Sequence, residues 1–183
     1  AQAVLDAGLV AGPNLSVATG AGVRRLTVRR TDRPGVVEVS ADMGPVKVGP
    51  DQPQATADRG LRTVDVGNPH LVLWGPAFTT EDVLGLGSQV QSQHAGGVNV
   101  EFVTIGPGPD ELTVRVWERG VGETQAGGSG ACAAAAAAHE WGLVGPRVTV
   151  HQPGGAAQVE LRPDTVILTG PAQRIGRVEV ELA

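Results

Sequence analysis

A glycine-rich loop over residues 118–130 joins charged side chains to the start of a helix. Glu118 and Arg119 form an adjacent acid and base at the end of a strand-like run, and Gly128-Ser129-Gly130 follows after a flexible stretch. The first turn of a helix leaves backbone N–H groups without intrahelical partners, and its positive dipole end favours anions. The loop therefore predicts a site for a small molecule that carries a carboxylate.

Two asparagines and a histidine outside this loop are further candidates. Asn68 and His70 flank a proline that interrupts strand pairing, and we expect this break to expose both side chains. Asn99 lies within a valine-rich strand pattern, where asparagine is disfavoured, and this favours a hydrogen-bonding role. The structural alternatives stay open: a turn asparagine at 68, a core or surface histidine at 70, and a solvent-exposed Glu118–Arg119 pair.

Composition excludes several classes of partner and site. The chain has 183 residues, 41% of them hydrophobic, and a formal net charge of -5 without a basic run, so nucleic acid is not expected as a partner. The single cysteine cannot form an internal disulfide, and no Cys/His cluster has zinc-ligand spacing, so we expect no metal and a cytoplasmic location. No apolar run reaches the roughly 18 residues of a membrane span.

The first part of the chain predicts a helix end followed by a meander of strands. Residues 1–7 fit the last turns of a helix, and short β-branched runs at 15–19, 23–30 and 36–40 fit antiparallel strands. Periodicity is then lost over 45–60, whose Pro, Gln and Asp content predicts a linker, with a domain boundary near residue 55.

The second part predicts more strands and two helices. Thr79 can cap a helix that runs to about Gln93, and Pro153-Gly154-Gly155 fits a hairpin turn. A helix at 129–141 contains six consecutive alanines and ends at Gly142, so small side chains permit close packing on every side. Strands are predicted at 61–66, 71–74, 98–103, 112–117 and in short alternating runs after residue 147. The fold class is therefore α+β, with curved antiparallel sheets around one central helix.

Three separate blocks of this sequence resemble the diaminopimelate epimerase family, in its order and approximate spacing. They are Gly67-Asn68-Pro69-His70, Val98-Asn99-Val100-Glu101-Phe102, and Glu118 to Thr124 followed by Gly128 to Cys132. The resemblance extends loosely over the whole chain and implies the epimerase-like barrel. It also implies that residues 1–54 are a remnant of an N-terminal domain and 55–183 the C-terminal domain, with a last strand at 173–182 that can return to the first domain.

The family resemblance implies a reaction without a cofactor, in which two cysteines act on opposite faces of the substrate α-carbon. Gly127 stands where the family motif has one catalytic cysteine, and the other belongs to an N-terminal half that this chain, beginning at Ala1, does not contain. Cys132 lies five residues further on and matches a non-catalytic family cysteine, for which we expect burial. The chain as given is therefore predicted to be inactive.

The same resemblance assigns roles to the polar residues. Arg119 and Glu118 would hold the carboxylate and ammonium of the non-reacting amino acid group, and the N–H groups of Gly128 and Ser129 would hold the reacting carboxylate. Helix capping is the alternative role of Ser129. Outside the loop, the family positions fall on Asn68 and Asn99 for the substrate and on His70 for support of catalysis. Glu118 is assigned a supporting catalytic role as well.

The leading hypothesis is epimerisation of LL- to meso-diaminopimelate by family, with a chain that lacks the reactive thiol. One alternative is a cysteine-free proton-shift isomerase with Glu123 as the base, and a second is a non-catalytic binding or interaction module. A decayed gene product is a third. Unpaired strand edges predict a homodimer or aggregation.

Overall fold

The computed structural model describes residues 2–8, 10–53, 59–176 and 179, which form one curved sheet with three helices. The helices are α1 (Gln2–Asp6), α2 (Thr80–Gln93) and α3 (Gly128–Glu140). The strands are β1 (Asn14–Thr19), β2 (Gly22–Arg30), β3 (Val36–Asp42), β4 (Lys47–Asp51), β5 (Gly60–Asp65), β6 (Pro69–Trp74), β7 (Asn99–Ile105), β8 (Glu111–Glu118), β9 (Gly122–Thr124), β10 (Arg147–Gln152), β11 (Gly155–Leu161) and β12 (Val166–Gln173).

The sheet is mainly antiparallel, as predicted, and runs in the order β1-β2-β3-β12-β11-β10-β8-β7-β6-β5-β4, with β9 paired to β8. Two neighbouring pairs, β6 with β7 and β8 with β10, are parallel. Parallel neighbours need a crossover connection, and α2 and α3 lie within those two connections. The crossover into β10 therefore brings the start of α3 next to the end of β8.

Helix α3 lies inside the curve of the sheet, which confirms the predicted central helix. It packs against strands on both sides of its axis, from β4 to β8 and from β10 to β12. Residues 131–138 are buried around its whole circumference. Alanine allows this because its small side chain lets the strands approach closely. Beyond the C-cap residue Trp141, Gly142 has a φ of 72°, which suits the residue that follows a helix end.

Helix α2 covers the opposite face of the sheet. It begins with the predicted cap, in which Thr79 and Asp82 exchange hydrogen bonds between side chains and backbone. Its Val83 packs in a cluster with Trp117 of β8, whereas Val116 packs against α3. Side chains of β8 therefore alternate between the two helices, and this alternation decides which residues can reach the start of α3.

The segment predicted as a linker contains strand β4, which is an edge strand whose register against β5 shifts between Val48 and Asp51, and this irregularity hides the alternation in the sequence. Half of the predicted last strand at 173–182 lies outside the described residues, because residues 177, 178 and 180–182 are not described; β12 ends at Gln173, and residues 174–176 form no strand. The division into two domains stays a prediction.

Candidate active site at the start of the central helix

Gly127 is the residue that immediately precedes α3. Its backbone is extended, with φ −139° and ψ 119°, and its carbonyl accepts the first helical hydrogen bond from the N–H of Ala131 at 2.9 Å. No side chain caps the helix, so the predicted capping by Ser129 is wrong. Within the described residues, the N–H groups of Gly128, Ser129 and Gly130 have no acceptor. They are available to an anionic ligand.

Gln152 holds the backbone of Gly127 from both sides and was not predicted from the sequence. The Gly127 N–H donates to Gln152 Oε1, and Gln152 Nε2 donates to the Gly127 carbonyl, each at 3.3 Å. Gln152 ends β10, so the contact fixes the loop to the strand that follows α3. A lone glutamine at a strand end gives no signal of this role in a single sequence.

Glu118 and Gly127 lie next to each other in the structure. Glu118 shares the inner face of β8 with Val116, and its Oε1 accepts a hydrogen bond from Thr124 Oγ1 at 2.9 Å. A Cβ placed on Gly127 would lie 3.1 Å from the same Oε1. A carboxylate oxygen therefore lies beside the point at which the chain enters α3.

Arg119 and Asn99 also meet. Asn99 Oδ1 accepts the backbone N–H of Arg119 at 2.9 Å, and Asn99 Nδ2 donates to the carbonyl of Pro69 at 3.4 Å. The Arg119 side chain is exposed and donates through Nη1 to the carbonyl of Gly96 at 3.1 Å. No carboxylate of the described residues lies within ion-pair distance of it. Its remaining guanidinium N–H groups can thus bind a ligand carboxylate.

His70 is buried, so the prediction that the proline break exposes it is wrong. The residue is 2% exposed and faces α3, because β6 begins at Pro69 and pairs with β5 immediately, with His70 opposite Val64. Its Nδ1 lies 2.7 Å from Oε1 of Glu101, which is 0% exposed. Burial, and secondarily the charge of Glu118, raises the pKa of Glu101. A glutamate among strand valines was the signal that could have identified this partner.

Asn68 lies half-buried in the turn between β5 and β6, beside the tip of the β1–β2 hairpin. A Cβ on the neighbouring Gly67 would lie 2.8 Å from the Cβ of Ala21 and 2.9 Å from Nη2 of Arg24. The Arg24 guanidinium has no hydrogen-bond or ion-pair partner among the described residues. The first strands of the chain thus extend to the turn that carries Asn68, a contact that no local pattern predicts.

Glu123 and Cys132 do not take part in this arrangement. Glu123 pairs in register with Trp117 and so lies on the α2 side of the sheet, where its Oε1 accepts from Arg115 Nε at 2.7 Å. Cys132 is 0% exposed, and burial raises the pKa of its thiol to about 12. Neither residue is placed to exchange a proton with a ligand at Gly127.

An apolar cleft adjoins the start of α3. A cleft of about 320 Å³ beside Ala126 and Gly128 is lined chiefly by small apolar residues of β3, β11 and β12.

Within the described ranges, no group of three or more His, Cys, Asp or Glu could hold a metal ion. Among the helices described, none has the length and apolarity to cross a membrane. The site can bind carboxylates and an ammonium, and residue 127 offers no group that titrates.

Comparison with known proteins identifies the family to which this loop belongs. Residues 62–175 match the family model described as diaminopimelate epimerase. The diaminopimelate epimerase of Pseudomonas savastanoi pv. phaseolicola is 34% identical, over 100% of this chain and 70% of the relative. That of Bacteroides thetaiotaomicron is 35% identical, over 97% of this chain and 68% of the relative.

Solved structures share the fold. A protein described as a predicted epimerase from Pseudomonas aeruginosa superposes with a TM-score of 0.65 at 20% identity, over 96% of this chain and 72% of that one. A PhzF-family phenazine biosynthesis protein from Bacillus anthracis gives 0.64 at 10% identity, over 93% and 70%. Such identities show the fold alone. The family match, by contrast, spans both the Asn68 turn and the loop into α3, and the chain therefore belongs to the diaminopimelate epimerase family, a family of isomerases.

Proposed function

We propose that this chain forms part of a diaminopimelate-binding site and that, with glycine at position 127, it does not catalyse epimerisation. The observation that carries the proposal is a carboxylate, Glu118, beside free helix N–H groups on a loop that matches the family motif. Arg119, the next residue along the chain, presents an exposed guanidinium. Diaminopimelate has an amino acid group at each end, so a site for it needs both a distal clamp and a place for the reacting carboxylate.

The distal clamp is Arg119 with Glu118. A guanidinium can bind a carboxylate through two parallel N–H donors, and Glu118 supplies the negative charge for the ammonium of the same group. Asn99 supports the clamp because its side chain holds the Arg119 backbone. Asn68 completes the polar lining from the neighbouring turn, with His70 as a supporting group.

The reacting carboxylate binds at the start of α3. The N–H groups of Gly128 and Ser129, together with the positive end of the helix dipole, stabilise negative charge there. Such donors matter most when an enolate-like charge develops on loss of the α-proton, because they are already oriented toward it. In a full family member these residues would serve lysine and cell-wall precursor synthesis in the cytoplasm.

The chain itself offers no acid or base at residue 127. Positioned general acid–base groups each contribute about 10²–10⁴ fold in rate, and inversion at a carbon needs one on each face. Glu123, the base of the alternative isomerase hypothesis, is ion-paired to Arg115 on the other side of the sheet. A binding module is thus the function that this chain supports by itself, and homodimer formation stays a prediction.

Two measurements on the purified chain test the proposal. Calorimetry with meso-diaminopimelate should give heat that is lost in Arg119→Gln and kept in the control Arg147→Gln, an exposed arginine at the far end of β10. Incubation in D₂O should incorporate no deuterium at the substrate α-carbon. Heat that is unchanged in Arg119→Gln contradicts the clamp, and deuterium incorporation above background contradicts the inactive assignment.

A further inference from the structure

His70 and Glu101 form a buried pair on the inner face of the sheet. Strands β6 and β7 are parallel, with His70 opposite Asn99 and Val72 opposite Glu101, so the two side chains are diagonal neighbours that face α3. Their side chains are 1% and 0% exposed, and His70 Nδ1 lies 2.7 Å from Glu101 Oε1. The contact fixes the imidazole ring by a hydrogen bond at one of its two nitrogens.

The other polar atom of each side chain has no partner. Within the described residues, His70 Nε2 and Glu101 Oε2 are buried and make no hydrogen bond. Burying a polar atom without a partner costs free energy, so native proteins contain few such atoms, and each calls for a reason. Apolar residues of similar volume would often give equal or greater stability at these two positions, so packing alone does not explain the pair. The unpartnered atoms therefore point to a ligand or to proton transfer.

The pair lies directly against the first turn of α3. A Cβ on Gly130 would lie 2.8 Å from Glu101 Oε1, so only glycine leaves room for the carboxylate there. This is the same turn whose N–H groups lack acceptors. The negative charge of Glu118, which flanks Gly127, helps to raise the pKa of Glu101. The buried pair thus adjoins the proposed site of the reacting carboxylate.

We propose that Glu101 is a positioning residue, which holds Nδ1 of His70 and so leaves Nε2 as the only ring nitrogen available to the substrate. The lock on the ring follows from the geometry of the pair, and the role of Nε2 rests on the proposed function. Holding one nitrogen in a hydrogen bond selects one tautomer, and this decides whether the other nitrogen accepts or donates a proton.

Nuclear magnetic resonance of ¹⁵N-histidine-labelled protein tests the lock without any ligand. We expect a single His70 tautomer in the unmodified chain and in Glu101→Gln, whose amide can bond Nδ1 as either acceptor or donor, and a mixture in Glu101→Leu. The matched control is Glu111→Leu, which removes the partner of His151 Nε2 at 2.9 Å and should leave His70 unchanged. A tautomer mixture in the unmodified chain, or an unchanged His70 in a folded Glu101→Leu, overturns the proposal.

Adding meso-diaminopimelate to the same samples tests the role of Nε2. The Nε2 resonance should shift on titration in the unmodified chain, with a smaller shift at Nδ1, and the Nε2 shift should be lost in Glu101→Leu. Calorimetric heat without an Nε2 shift overturns this inference and leaves the proposed function standing. Absence of both heat and shift overturns the proposed function and the role of Nε2 together. The ligand-free spectra alone then decide whether Glu101 holds His70 in one tautomer.

Discussion

At the scale of single residues, the backbone of Gly127 does not require glycine. Its φ of −139° and ψ of 119° lie in the extended region that any residue adopts, and a Cβ there would meet Glu118 Oε1 at 3.1 Å. A contact of that length needs the carboxylate to move by only a few tenths of an ångström. The start of α3 therefore has room for a Cβ at residue 127.

We predict that Gly127→Cys folds and gains one reactive thiol. A thiol at a helix N-terminus is more readily ionised, whereas burial raises the pKa of Cys132 to about 12 and keeps it inert. Alkylation with iodoacetamide at pH 8, followed by mass spectrometry, should modify residue 127 in the variant and leave Cys132 unmodified in both proteins. Rapid native alkylation of Cys132 in the unmodified chain would contradict its assignment as a buried structural residue.

At the scale of elements, contact between α3 and β7 depends on one glycine. Gly130 is buried, and a Cβ there would lie 2.8 Å from Glu101 Oε1 within a fixed pair. Overpacking of this kind typically costs about 1–3 kcal/mol, which outweighs the roughly 1 kcal/mol that alanine gains over glycine in a helix. Gly130→Ala should thus lower the free energy of unfolding.

Gly85 in α2 provides the matched control for that substitution. It is exposed, with open space where a Cβ would lie, so Gly85→Ala should raise the free energy of unfolding by about 0.5–1 kcal/mol. Urea denaturation of both variants measures the difference. If Gly130→Ala were equally stabilising, the close packing of Glu101 against α3 would be disproved.

Both long helices were predictable because their signals are local. The Thr79 cap, the alanine run and Gly142 mark helix ends by short-range rules that tertiary contacts reinforce. The burial of His70 was not predictable in this way, since a proline rule concerns ladder hydrogen bonds and says nothing of which face of the sheet carries a helix. The Glu101 contact needed the parallel register of β6 and β7, which arises from a crossover through α2.

At the scale of the whole molecule, the sheet joins the first strands to the candidate site. Strand β3 pairs with β12 along seven residues, and the hairpin that precedes it places Arg24 beside Gly67. Strands β1 to β4 and the later strands thus share one sheet, and the predicted domain boundary near residue 55 falls between β4 and β5. Family motifs indicated the candidate site, whereas the way in which distant segments reach it depends on strand pairing.

Acid should destabilise the molecule through aspartates that fasten its elements. The pKa values of Asp42, Asp51 and Asp82 are lowered by hydrogen bonds, and that of Asp51 falls to about 2 because Arg62 and then Trp141 donate to it. Asp51 thereby ties β4 to β5 and to the residue that follows α3. A lowered folded-state pKa stabilises the protein above the unfolded value near 3.8 and loses that contribution as pH falls through the folded value.

Urea midpoints measured between pH 7 and pH 2 should therefore fall below about pH 4. Asp51→Asn removes the titrating group, so this variant should be less stable at pH 7 and should show a shallower decline between pH 4 and pH 2. Asp164→Asn, at an exposed aspartate, should keep the full decline. The raised pKa of Glu101 has the opposite effect, because its contribution to stability is lost as pH rises through that pKa. A decline that is steeper in Asp51→Asn than in Asp164→Asn would contradict the role of Asp51.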